Sequence, residues 1–152
     1  MPRKKFSPQS DFYYHITARC HNKEWFKIPI NEVWDILTNY LFFIKHGFNL
    51  EIYSFVLMDN HFHLILRTPQ ANLDIAMNYF MRETSKIISS RSGRINQVYG
   101  APYHWSLIKT DIYFQHAYKY VYRNPVESNL VKHVQDYKYS TLHSKIGLSH
   151  TI

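Results

Sequence analysis

The stretch VLMDNHFHLIL, residues 56–66, sets two imidazoles one residue apart in a run that otherwise reads as buried β-strand. In a strand, residues i and i+2 point the same way, so His61 and His63 share one face while Phe62 and Leu64 take the other. Neutral imidazole is a common ligand, and two of them on a rigid strand begin a divalent-cation site. With 10 His in 152 residues, such a pair also arises by chance, and two satisfied surface histidines are the other reading. A metal needs a third ligand, from an element lying across the open face of the sheet. The segment HAYKYVYRNP offers one, because Tyr120 and Asn124 stand four residues apart and share a helix face. Asn124 carries a carbonyl oxygen, and Tyr120 sets a phenol beside it. Tyr113, Tyr118, Tyr120 and Tyr122 crowd this segment, however, and most tyrosines on a helix serve packing.

The elements that must hold these groups follow from periodicity. DFYYHITARC reads as a strand with Phe12, Tyr14, Ile16 and Ala18 on one face. A helical pattern follows, INEVWDILTNYLFFIKHGF, with Val33, Leu37, Tyr40, Leu41 and Ile44 on a stripe, Asn31 as N-cap and Gly47 as the stop. LEIYSFVLMD and HFHLILRT then form two strands joined by Asp59-Asn60, a hairpin signal weaker than Asn-Gly but of its kind. NLDIAMNYFMRETSKIISSRS is a second helix with Leu73, Ala76, Met77, Phe80, Thr84 and Ile87 inward, ended by Gly93. HWSLIKT is a fourth strand. DIYFQHAYKYVYRN opens on a capping Asp and runs helically until Pro125 forbids continuation. The remainder reads as a polar extension with one apolar cluster at Val126, Leu130 and Val131. The order β-α-β-β-α-β-α predicts an α+β, ferredoxin-like (βαββαβ) antiparallel sheet. Its helices lie on one face, and the C-terminal helix lies on the other.

No linker-like stretch or repeat divides residues 1–152, which are expected to form a single domain with a basic arm at 1–11 and a C-terminal extension at 126–152. The formal charge of +7 predicts attraction to polyanions, and 13 Tyr and 10 Phe among the cations suit single-stranded nucleic acid, where bases stack on rings. Cys20 is the only cysteine, so an internal disulfide and a thiolate zinc cage are excluded. The basic start MPRKKF lacks the apolar run of a signal peptide, and no segment reaches the length of a membrane span. A cytoplasmic, nucleoid-associated protein is expected.

Four segments, in order, resemble one family. MDNHFHLIL is similar to the M-x-N-H-x-H-L-L segment of the HUH single-strand transposases with one catalytic tyrosine. YVYRNPVESNLV resembles the Y-I-x-x-N-P-V-x-A-G-L-V segment of their REP-associated tyrosine transposase branch. YHITARCHN looks like that branch's Y-H-V-T-x-R-x-x-N start, and GRINQVYGAPYHWSLI like its loop before the fourth strand. The likeness runs from about Tyr14 to Tyr139. Ser128 and Asn129 replace the branch's small-Gly pair, and Asp59 stands where Pro is common.

The resemblance implies a metal-dependent enzyme that cleaves and rejoins single-stranded DNA near hairpins through a 5′-phosphotyrosine. His61, His63 and Asn124 fall on the metal ligands, for Mg²⁺ or Mn²⁺, and Tyr120 falls on the nucleophile. The implied partner is single-stranded DNA with a hairpin, a repeat palindrome or an insertion-sequence end, bound by a monomer or homodimer. Arg3, Lys4 and Lys5 would form a DNA-binding arm, with Arg19, Lys23, Arg91 and Arg94 as further contacts. His15 and His104 are candidate helpers in proton transfer, though a structural role suits each better. The competing reading is a non-catalytic single-stranded nucleic-acid binding module on the same fold, and a water-activating metal hydrolase is a second.

Overall fold

The structure is a computed structural model that describes residues 6–145. Four strands, β1 (Tyr13–Arg19), β2 (Glu51–Leu57), β3 (His61–Arg67) and β4 (His104–Ile108), form one antiparallel sheet in the order β2-β3-β1-β4. Helices α1 (Ile30–Gly47) and α2 (Leu73–Ser92) cover one face, and α3 (Asp111–Glu127) covers the other. This is the ferredoxin-like plan, with the two central strands, β1 and β3, paired in register from Tyr13 opposite Arg67 to Arg19 opposite His61. Among the described residues no helix is long and apolar enough to cross a membrane.

Alternation explains why the sheet has two different faces. Tyr14, Ile16, Ala18, Phe62, Leu64 and Leu66 are buried against α1 and α2, which answer with Leu37, Leu41, Ile44, Met77 and Phe80. Each of the Leu, Ile, Met and Phe side chains contributes roughly 1.5–3 kcal/mol relative to exposure. This larger core makes the central strands rigid. The opposite face carries a smaller core, in which Val56, Ile65 and Ile108 meet Ala117, Val121 and Tyr122 of α3. The polar part of that face is left for His15, His61 and His63.

Several local expectations are corrected. Helix α1 starts at Ile30 after Pro29, with no side-chain cap from Asn31, and the Glu32 N–H bonds the Pro29 carbonyl at 3.0 Å. Gly47 is still helical. The stop is Asn49, left-handed at φ 54°, which lets the Leu50 N–H reach back to the Lys45 carbonyl at 2.9 Å. On α2 Ile87 packs against the core partly buried, while Ile88 beside it is fully buried, and Gly93 ends the helix with φ 66°, as its spacing predicts.

Thr110, not Asp111, caps α3, its hydroxyl accepting from the Tyr113 N–H at 3.1 Å. Pro125 does not end that helix, which continues to Glu127. The ring's missing N–H falls in the last turn, where little helix remains to be disrupted. Termination comes from Asn129, left-handed at φ 60°, with Leu130 N–H on the Pro125 carbonyl and Asn129 N–H on the Val126 carbonyl, both 3.0 Å. That is a Schellman close, and it explains how Asn129 stands where the similar sequences carry glycine. Asparagine tolerates the left-handed region that other side chains avoid.

The chain beyond α3 is more than a polar extension. After a turn at Val134–Asp136, residues 139–141 pair along the outer edge of β2: Leu57 N–H bonds the Tyr139 carbonyl and Thr141 N–H the Phe55 carbonyl, both at 2.9 Å. The Tyr137 hydroxyl bonds the Leu57 carbonyl, and the Tyr122 hydroxyl meets the Thr141 hydroxyl at 2.9 Å. An open strand edge offers unpaired backbone groups, and this segment satisfies them. Leu130, expected in an apolar cluster, is instead exposed. A final turn, α4 (Leu142–Lys145), closes the described chain.

Candidate active site

Strand β3 sets His61 opposite Arg19 and His63 opposite Thr17, and β1 sets His15 opposite Ile65. His15 and His63 are therefore diagonal neighbours on the α3 face, within reach across the ladder. Their rings lie 5.3 Å apart and nearly parallel, with His15 Nε2 3.0 Å from His63 Nδ1. The His61 and His63 rings are 5.1 Å apart and nearly perpendicular. His61 Nδ1 sits 2.7 Å from the Asn60 side-chain oxygen, in the turn that joins β2 to β3. That turn closes with the Met58 N–H on the His61 carbonyl at 2.8 Å, and neither Asp59 nor Asn60 is left-handed, so it is not the Asn-Gly type of hairpin.

Helix α3 brings the other two groups. Asn124 points at the sheet, its Nδ2 3.0 Å from His63 Nε2. One turn earlier, the Tyr120 ring stands edge-on to His63, centroids 5.6 Å apart, and to His15 at 6.0 Å. Tyr120 is 54% exposed although it touches both rings. Its neighbours are spent differently. Tyr122 is buried with its hydroxyl on Thr141, and Tyr118 packs against Phe114 and Tyr122. Of the tyrosines crowding this segment, Tyr120 is the one that meets the histidines while remaining open to a substrate.

Burial controls the protonation of the pair. His61 is pushed down to about 4, mainly by desolvation and then by the Arg19 charge, with Asp59 opposing. His63 falls to about 3 through desolvation, reinforced by His15, His61 and Arg19. Desolvation lowers His15 as well. All three favour the neutral ring, whose bare nitrogen is the form that binds a cation.

The donor set fits a hard-to-intermediate divalent cation. Among the described residues, no three His, Cys, Asp or Glu side chains are grouped to hold a metal. Two imidazoles therefore need a donor of another kind, and the Asn124 carboxamide is already at His63, where turning it over would present its oxygen. Two imidazole nitrogens with one amide oxygen make a mixed donor set that could hold a divalent cation, and they carry none of the thiolates that select softer metals.

The expected cations divide. Arg3, Lys4 and Lys5 lie outside the described residues. Arg19 is exposed at the end of β1 beside His61, and Lys23 is exposed in the turn that Asn60 grips, Asn60 Nδ2 donating to the Lys23 carbonyl at 3.0 Å. Arg91 is exposed in the last turn of α2. Arg94 departs from expectation. Its side chain is 1% exposed, bound to Glu24 at 3.4 Å and to the Asn96 oxygen at 3.0 Å, so it ties the loop before β4 to the body rather than facing a nucleic acid. Asn60 was missed as a site residue, since nothing in its spacing distinguishes a turn asparagine from one that holds a histidine. His104 is exposed at the start of β4, opposite Thr17, and is not one of the rings gathered around His63.

The chain is similar to known proteins in sequence and in fold. A curated relative, the REP-associated tyrosine transposase of Escherichia coli K12, is 27% identical over 115 residues, which span 75% of this chain and 67% of the relative. A solved REP-associated tyrosine transposase bound to a REP hairpin superposes with a TM-score of 0.78 at 22% identity, covering 99% of this chain and 89% of that one. A crystal structure of a transposase-like protein from Deinococcus radiodurans R1 matches more loosely, with a TM-score of 0.52 and 16% identity over 78% of this chain and 95% of that one. The model of the family described as "Transposase IS200 like" matches residues 8–128, a span that begins before β1 and closes just past α3. With the sheet, the paired histidines and the tyrosine helix all inside that span, the chain belongs to the IS200-like transposase family, whose members are DNA-cleaving tyrosine transposases.

Proposed function

We propose that this transposase cleaves and rejoins single-stranded DNA beside a hairpin, a repeat palindrome or an insertion-sequence end, through a 5′-phosphotyrosine on Tyr120. The observation that carries the reading is the meeting of an exposed Tyr120 with His63 at 5.6 Å while Asn124, one turn on, bonds the same histidine. A packing tyrosine would be buried, as Tyr122 is. The superposing REP-associated transposase holds a REP hairpin in its solved structure, which supports a hairpin as the substrate class here.

His61, His63 and Asn124 would hold Mg²⁺ or Mn²⁺, which supplies charge stabilisation and orientation at a phosphate oxygen. Tyr120 Oη attacks the scissile phosphorus in line. The new O–P bond forms as the bond to the 3′ oxygen breaks, the phenol gives up its proton, and the leaving oxygen takes one up as a free 3′-OH. Keeping the phosphate on the enzyme conserves the bond for religation, the reverse attack by a 3′-OH. Arg19 and Lys23, exposed at the histidine end of the sheet, and Arg91, exposed at the end of α2, supply phosphate contacts.

The test is a denaturing gel with labelled hairpin-flanked single-stranded DNA, with and without Mn²⁺, for wild type and Tyr120→Phe. A metal-dependent covalent band lost in the variant is expected. Tight binding with no band in the wild type would favour the non-catalytic binding module. Cleavage without an adduct would favour a water-activating hydrolase.

A further inference from the structure

The tautomer of each paired histidine follows from its hydrogen-bond partners: Asn124 on one side and His15 on the other for His63, and Asn60 for His61. A carboxamide nitrogen only donates, so Asn124 Nδ2 at 3.0 Å makes His63 Nε2 an acceptor. A neutral imidazole has one N–H, which must then be on Nδ1. That N–H points at His15 Nε2, 3.0 Å away, so His15 accepts and carries its own proton on Nδ1. The proton order Asn124 to His63 to His15 is the arrangement in which neither imidazole–imidazole nor imidazole–amide contact sets two donors or two acceptors face to face.

His61 reaches the same state by a separate route. Asn60 Nδ2 is held by the Lys23 carbonyl at 3.0 Å, which turns Asn60 Oδ1 toward His61 Nδ1 at 2.7 Å. The backbone of Asn60 is pinned too, its carbonyl accepting the Cys20 N–H at 2.8 Å. An amide oxygen only accepts, so His61 also carries its proton on Nδ1. Both Nε2 atoms are therefore unprotonated before any cation arrives.

We propose that His15 and Asn60 are positioning residues, which hold His63 and His61 respectively in the Nδ1–H tautomer and so leave Nε2 of both rings bare for a cation. Metal-ligating histidines commonly depend on such a partner for ring orientation, and loss of the partner typically weakens metal affinity 10–100-fold. The consequence for Mn²⁺ rests on the metal reading above, whereas the tautomers are a property of the metal-free protein.

The experiment records long-range ¹H–¹⁵N correlations of the imidazoles in EDTA, then measures Mn²⁺ affinity by electron paramagnetic resonance. Wild type should show His15, His61 and His63 all as Nδ1–H. His15→Phe, which keeps an aromatic ring but no acceptor, should release His63 to a tautomer mixture and weaken Mn²⁺ about 10-fold or more. His15→Gln, which restores an acceptor oxygen, should recover both. Asn60→Ala should do the same to His61, with recovery in Asn60→Asp. A folded His15→Phe with unchanged His63 signals, or wild-type His63 in the Nε2–H form, would overturn the proposal. Should wild type fail to bind Mn²⁺, the metal reading falls, and the imidazole signals still decide the positioning roles.

Discussion

Taking the metal-free protein from pH 7 to pH 5 should cost it stability chiefly through His61 and His63. The fold holds them near 4 and 3, because burial penalises the imidazolium. Unfolding returns each to about 6.5. A folded value below the unfolded one means that the unfolded chain takes up the extra proton. Stability is then complete above about pH 6.5 and is lost as the pH falls toward the folded values. Within that window each neutral histidine costs at most about 1.4 kcal/mol per pH unit. Integrated from pH 7 to 5, this approaches 2 kcal/mol for His63, which is only 6% exposed. His61 is more open, and solvent screening reduces its share, so roughly 3 kcal/mol is expected from the pair. Against a total stability on the order of 5–15 kcal/mol for a domain, that is readily measured. Urea unfolding in EDTA at both pH values, for wild type and His61→Gln/His63→Gln, separates the effect from the titrating groups that do not touch these rings. Wild type should lose about 3 kcal/mol more than the double variant over the step. Equal losses in the two proteins would refute the claim that the fold keeps these rings neutral.

Two further expectations separate roles that composition alone merges. Arg19→Gln should weaken binding to hairpin DNA and reduce the slope of log affinity against log salt by about 1, with stability changed by less than about 0.5 kcal/mol. Arg94→Met should do the reverse, costing roughly 1–3 kcal/mol in urea unfolding and leaving the salt slope intact; a matching loss of slope would show that Arg94 meets phosphate after all. Asn129→Ala should cost about 1 kcal/mol because a left-handed residue closes α3, whereas Asn129→Gly should be neutral or mildly stabilising; equal effects of the two would exclude backbone conformation as the reason for Asn129.

Much of the architecture was legible because the core is organised by period. Tyr14, Ile16 and Ala18 alternate, Leu37, Leu41 and Ile44 recur with the helical turn, and the antiparallel sheet with helices on both faces follows. His61 and His63 were visible for the same reason, since a period of two puts both on one face. The His15 contact was not, because it depends on the register of β1 against β3, and register is a property of two segments together. Helix ends were misread where a left-handed asparagine did the work of glycine, at Asn49 and Asn129. Pro125 misled because a proline's effect depends on how much helix follows it. Residues 137–141 looked polar because hydroxyls that bond a strand edge score as hydrophilic. Arg94 looked like a free cation because its carboxylate partner, Glu24, is 70 residues away in the chain.

The pairing of Phe55 with Thr141 joins residues 86 apart, and it has a bearing on how the protein is made. Strands β1 to β4 and both helices of the larger core precede α3 in the chain, so a ribosome delivers them first. A nascent chain can thus bring out its sheet, with His15, His61 and His63, while Tyr120 is still inside the exit tunnel. Only when residues 137–141 emerge can they seal the edge of β2 and bind Tyr122, fastening the helix that carries Tyr120. A chain ended between β4 and Tyr120 would therefore hold the imidazoles without the phenol, and one ended before Tyr137 would hold both without the segment that seals the β2 edge.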